Sequence, residues 1–242
     1  MAVSVVQDNE FIVPTATGTW DFAFLSAVTP GNVVVIAARM GTNNRVPTTP
    51  TGGGGTFALI QSIGGTALGN LRLWSAQESN AGNTTYPITI NNNLGAGSTG
   101  VGVVQGWELA GCNSATPTAS GTGTQGTTTT SPRMLDTGLD IASGGIMIGG
   151  ISTQGNASAG AWTTPTNFTS AYQSVSTPGA SVLFAQSLTA GTAVQGVATV
   201  TTGRAVWGLA ATWIEAAAGG GPFPHFIRRR MFGGMTFPRG GI

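Results

Sequence analysis

The sequence predicts an all-β protein: a β-sandwich or jelly-roll-like body of about a dozen short strands, followed by an extended C-terminal arm. Three observations carry this. Apolar runs are short and separated by turn signals every 8–15 residues, and no helical periodicity persists for three turns. Glycine is abundant, with 39 in 242 residues. The last stretch, GGGPFPHFIRRRMFGGMTFPRGGI, differs in composition from everything before it.

In chain order, Ala2–Gln7 is a short β-prone segment, the acidic DNE follows at 8–10, and Phe11–Val13 continues it or forms a second strand. Trp20–Leu25 alternates, with Trp20, Phe22 and Phe24 on one face. TPGN at 29–32 is a tight turn with Pro30 and Gly31 where a turn requires them. It leads into Val33–Arg39, a continuous β-branched run that reads as a strand covered on both faces. Met40–Gly55 reads as a long loop ending in four glycines. Phe57–Ile63 and Leu71–Ala76 then pair across the glycines at 64–65. A turn at 79–85 precedes Tyr86–Ile90, where Pro87 points to an edge strand. Val101–Ala110 is the next strand, its glycines marking a bulge or close backbone packing.

Asn113–Ser131 holds Thr, Gly and Ser but no large apolar side chain, so it reads as a long surface loop or the joint between two halves of the body. Five further strands are expected at Ile146–Ser152, Phe168–Val175, Ser181–Ser187, Val194–Thr201 and Arg204–Glu215. The halves echo each other weakly, without a fixed period. The body is thus assigned to 1–218 and the arm to 219–242.

Charge separates the two parts. Charged residues make up only 7% of the chain, and all nine basic residues are arginine. The body carries five Arg against eight acids (−3), while the arm carries four Arg and no acid (+4). So few charges suit a protein packed in an assembly better than a dispersed monomer. A basic arm on a mildly acidic body suits docking between identical subunits or on an acidic partner. Three prolines and seven glycines keep the arm from forming a long helix or a central strand. Burying its four Phe rings does not by itself offset the backbone ordering cost of about 1–2 kcal/mol per residue. A partner surface is therefore expected to supply the rest. The docking residues are Phe223, His225, Phe226, Arg228, Arg229, Arg230, Met231, Phe232, Met235, Phe237 and Arg239.

Chemistry is sparse. His225 is the only histidine and lies in the arm, so no Ser or Cys nucleophile has a well-placed base. Cys112 is alone, which excludes an intrachain disulfide and a cysteine metal site. The acidic pairs Asp8/Glu10 and Asp136/Asp140 read as turn or edge decoration rather than calcium ligands. Asp21, Glu78 and Glu108 are the acids whose convergence would be needed for glycosidase chemistry. Gly52–Gly55 lacks the Lys-Ser/Thr and helix of a phosphate loop. No enzyme activity, cofactor or metal is expected. Arg228–Arg230 between Phe226 and Phe232 is a thin basis for nucleic-acid binding, which is disfavoured. No signal peptide or membrane-spanning run is visible, so synthesis in a host cytoplasm is the expectation, and the glycosylation-like triplets at Asn83, Asn156 and Asn167 carry little weight. Trp20, Trp74, Trp107, Trp207 and Trp213 fall in strand patterns and read as core. Trp162, in the loop GAWTTPTN, reads as exposed.

The segments TPGNVVVIAARMG, LRLWSAQESNAGNTT and GWELAG, then a Thr/Gly loop before ASGGIMIGG, resemble the β-sandwich modules of tailed-bacteriophage structural proteins; similar modules occur in bacterial surface proteins. The resemblance covers about residues 20–215 in strand and turn texture, and the arm has no part in it. It implies a non-enzymatic virion component: a head decoration (cement) protein, a head fibre or a tail-fibre domain. Its partners would be other capsid or tail subunits, in a homo-oligomer. The alternative is a glycan-binding module of a tail fibre or adhesin, with contacts expected around Trp162 and Tyr172.

Overall fold

The computed structural model describes residues 1–242 except 14–17, 41–44, 66–68, 93–101, 154–161, 178–179, 201–203 and 217–242. Among the described residues there is no helix. The first half contains β1 (Ser4–Val13), β2 (Gly18–Ala23), β3 (Val33–Met40), β4 (Arg45–Pro47), β5 (Ala58–Gly65), β6 (Gly69–Gln77), β7 (Thr85–Asn92) and β8 (Gly102–Ala110). The second half contains β9 (Ala119–Thr129), β10 (Leu139–Ile141), β11 (Ile146–Thr153), β12 (Trp162–Thr163), β13 (Thr169–Thr177), β14 (Ala180–Ser187), β15 (Gly191–Val194), β16 (Thr199–Val200) and β17 (Arg204–Trp213).

The two halves repeat one topology. The large sheet of the first runs β1-β8-β3-β6-β5, and that of the second β9-β17-β11-β14-β13. Replacing each strand by its counterpart converts one order into the other. The small sheets follow the same rule: β2-β7-β4 corresponds to the two-stranded pairs β10-β15 and β12-β16. All these pairings are antiparallel. The turns entering the central strands fix the residue correspondence. Gly31 (φ 92°) and Gly144 (φ 74°) occupy the same left-handed position. Asn32 N donates to Thr29 O at 3.0 Å, as Gly145 N does to Ala142 O at 2.9 Å. Val33 therefore corresponds to Ile146, and Arg39 to Ser152.

The layers stack as small sheet, large sheet, large sheet, small sheet. Alternation along β3 explains why VVVIAARM is buried throughout. Val34, Ile36, Ala38 and Met40 face the small sheet of their own half, against Phe22, Phe24, Tyr86 and Ile88. Val33, Val35 and Ala37 face the other half, against a layer that includes Ile146, Ile148, Phe184, Leu209 and Trp213. In the second half, Met147 and Ile151 turn inward to Met134, Leu135, Trp162 and Val206.

Polar contacts stitch the seam between the halves. Trp107 Nε1 donates to Gln186 Oε1 at 2.7 Å, and the Trp107 ring meets Phe184 edge-on at 6.3 Å. Gln61 Nε2 donates to Ser120 Oγ at 2.9 Å. The carbonyl of Ala115, in the connector between β8 and β9, accepts from Ser75 Oγ at 2.6 Å and from Trp213 Nε1 at 3.0 Å, one donor from each half. Arg39 is fully buried at this seam and donates to its own counterpart, Ser152 Oγ, and to Thr153 O. Burial alone pushes its guanidinium down to about 10. Two arginines at these facing positions would repel, so the repeat is unequal here of necessity.

Four expectations need correction. Val194–Thr201 is not one strand: β15 ends at Val194, β16 holds only Thr199–Val200, and Gly196 is left-handed (φ 62°) between them. Asn113–Ser131 is neither a loop nor wholly a joint: the connector is only 111–118, and β9 occupies most of the stretch. Large side chains are missing because backbone lies against it; a methyl group on Gly123 would come within 2.9 Å of Met134 O. Met40–Gly55 contains the short strand β4. Tyr86–Ile90 lies in the middle strand of its sheet, not at an edge. Pro87 is tolerated because the pairing of β4 stops at Ile90 and no ladder N–H is required of residue 87 on that side.

Candidate docking interface

The arm residues named from the sequence (Phe223, His225, Phe226, Arg228, Arg229, Arg230, Met231, Phe232, Met235, Phe237 and Arg239) lie outside the described residues. The described residues end at Ala216. Ala216 N donates to Gly111 O at 2.7 Å, and Cys112 forms an isolated bridge with Glu215. The Glu215 carboxylate lies 3.6 Å from the amino terminus of Met1. A methyl group on Gly111 would come within 2.8 Å of Ala2 O, so the exit sits beside the start of β1.

β1 is an edge strand. One side of it pairs with β8 along its whole length, with a bulge between Val5 and Gln7. Its exposed positions are Ser4, Val6, Asp8, Glu10 and Ile12. Val6 and Ile12 are 52% and 54% exposed, and they bracket the two carboxylates. Desolvation, with Glu10 close by, raises the Asp8 carboxyl above its ordinary value; a hydrogen bond from Gln105 opposes this only in part. The opposite alternate, Gln7, Asn9 and Phe11, turns to the body: Asn9 Nδ2 donates to Ala23 O at 2.7 Å and Gln7 Nε2 to Ser26 O at 3.0 Å.

The remaining acids are structural. Glu78 is buried and accepts from Gly54 N (2.9 Å), Ser79 N (2.9 Å), Asn80 N (2.8 Å), Asn83 Nδ2 (3.3 Å) and Tyr86 Oη (2.5 Å). Burial disfavours its charge, but the bonds from Tyr86, Asn80, Gly54 and Asn83 outweigh this and hold the carboxyl below its ordinary value. Burial and that same bond push the Tyr86 phenol well up. Glu108 is also buried and accepts from Thr29 N (2.9 Å), Asn32 Nδ2 (2.6 Å) and Gln7 Nε2 (2.6 Å), which pins the TPGN turn. Asp21 is exposed on β2, whereas Glu78 and Glu108 are buried. Asp136 pairs with Arg133 at 3.2 Å and accepts from Thr124 N, while Asp140 accepts from Ala193 N. Cys112 is half-buried, and burial pushes its thiol up to about 12. Among the described residues, no group of three His, Cys, Asp or Glu is placed to hold a metal, and no helix is long and apolar enough to cross a membrane.

The expected glycan contacts do not converge. Trp162 is buried at 6% exposure, not exposed: β12 pairs with β16 and carries the indole into the core of the second half. Tyr172 is half-buried and packs on the layer between the halves. Trp74, Trp107, Trp207 and Trp213 are core as expected, with Trp20 packed at the margin. Sequence reading missed the open edge of β1, although its alternation of Val6, Asp8, Glu10 and Ile12 was there to be read. Compared with known protein families, curated proteins and solved structures, the chain matches none.

Proposed function

We propose that this chain is a non-enzymatic structural protein of a phage virion. Its β-sandwich body decorates or cements a capsid or tail surface, and its C-terminal arm docks on neighbouring subunits. The observation that carries the reading is the separation of charge and apolar anchors. A segment with four Phe and a charge of +4 leaves a body of charge −3 at a point beside an open strand edge. Rings of this kind dominate interfaces when they fill apolar pockets. Among the described residues, the three apolar clusters of the body draw on residues from Val3 to Trp213. The glycan-binding alternative loses its principal exposed aromatic with the burial of Trp162.

Deleting 219–242 is expected to leave the body folded, with unchanged circular dichroism and thermal midpoint. It should abolish oligomer formation by size-exclusion chromatography and co-sedimentation with particles. Undiminished association of the truncated chain would refute the reading.

A further inference from the structure

We infer that the outer edge of β1 is the seat on which the C-terminal segment 217–242 of a neighbouring copy docks, by strand addition. This rests on the reading of that segment as a docking arm, and it names the surface the arm meets.

The two equivalent edges of the repeat argue for β1. β9 holds the position in the second half that β1 holds in the first, and among the described residues neither has a partner on its outer side. β9 (ASGTGTQGTTT) carries no charge and no apolar side chain larger than alanine. β1 (SVVQDNEFIV) presents Val6 and Ile12 with Asp8 and Glu10 between them. An exposed edge with apolar residues is a template for another strand. Its charge selects which. Pairing β1 with β1 of a second copy, antiparallel about Asn9, would set Asp8 opposite Glu10 and Glu10 opposite Asp8, which is unfavourable. A strand bearing Arg228–Arg230 and Arg239 complements them. Burial, and then the nearby Glu10, raise the Asp8 carboxyl, and a guanidinium beside it would favour its charged form.

Reach and direction favour a neighbour. The 26 residues from 217 span up to roughly 90 Å when extended, against about 33 Å for β1. Within one chain Ala216 bonds to Gly111 beside the start of β1, so a strand continuing from it along β1 would run parallel, the less stable pairing per residue. A neighbouring copy can present it antiparallel.

Photo-crosslinking of the full chain tests this. p-Benzoylphenylalanine replaces Ile12 or, separately, Thr124, its counterpart on β9, because Ile12 pairs with Val103 and Thr124 with Trp207, which are equivalent positions. A third preparation carries the probe at Phe226. Equal amounts of light and heavy isotope-labelled chains are mixed and the adducts mapped by mass spectrometry. The expected result is mixed-isotope adducts from position 12 to residues 223–238 and none from position 124. Asp8→Arg combined with Glu10→Arg should lower their yield about tenfold. Mixed-isotope adducts from position 226 to another surface, with none from 12, would overturn the β1 seat and leave the docking reading intact. Adducts from 12 to 223–238 without mixed isotopes would place the arm on its own body and overturn both, as would no adducts at all. Adducts from 12 to residues 4–13 of another copy would show self-pairing and overturn the seat.

Discussion

In the first half, the buried carboxylates of Glu78 and Glu108 gather the turns at 52–54, 79–83 and 29–32 around them. The equivalent positions of the second half are Thr189 and Thr212, given that Gln77 corresponds to Leu188 and Leu109 to Trp213. There, closure comes from backbone laid on glycine. Methyl groups on Gly123 and Gly208 would strike the backbone of the Met134–Leu135 segment, at 2.9 and 2.5 Å, and one on Gly149 would strike Met134 Sδ at 2.7 Å. The first half fills the comparable space with rings, and Phe22 meets Phe24 edge-on at 5.0 Å. One strand order is thus reached by two chemistries. Topology is shared because the alternation of the large sheets is shared, and side chains diverge wherever a different segment covers the outer face.

The largest effect should come from forcing the chemistry of one half on the other. Gly208 corresponds to Val104, which is buried among the rings of the first half. Gly208→Val drives a side chain into the backbone of Met134 and should cost about 3 kcal/mol or more, measured by denaturant unfolding. Val104→Ala should cost only about 2 kcal/mol, since it leaves a cavity without a clash. Equal costs would mean that the Met134 segment yields easily.

Next comes the acid response. The Glu78 carboxyl is depressed in the folded chain, so its stabilisation is present above the unfolded value and is lost as pH falls through the folded one. Loops 52–54 and 79–83 should lose hydrogen-exchange protection on acidification before any loop of the second half. Glu78→Gln should remove that difference and cost about 2 kcal/mol at neutral pH. Simultaneous loss in both halves would contradict the assignment.

The smallest effect concerns Asp8, whose raised carboxyl has the opposite sign: protonation relieves its burial and its repulsion by Glu10, so this contribution grows as pH falls. Asp8→Asn should leave the thermal midpoint unchanged or slightly higher while weakening oligomer formation. A drop in midpoint would show that Asp8 serves the body rather than a partner.

Much of the fold was legible because apolar alternation survives wherever two sheets face each other. Val33–Met40, Leu71–Ala76 and Arg204–Trp213 announce themselves in this way. β9 did not, since a strand covered by backbone needs glycine and threonine, the residues that also make loops. The repeat stayed faint because Glu78, Glu108 and Arg39 have no like-charged counterparts in the second half. Trp162 was misplaced because Gly160 and Pro165 signal a loop around a strand of only two residues. The proposed docking residues were legible as composition alone, while the proposed seat required knowing that β1 lies at an edge near Ala216.

The most direct test is hydrogen exchange of the full chain as a function of its concentration. The account predicts that Ser4–Val13 and residues 223–238 gain protection together over the same concentration range, while Ala119–Thr129 does not change. Protection of either stretch that is independent of concentration, or a gain in β9 equal to that in β1, would contradict it.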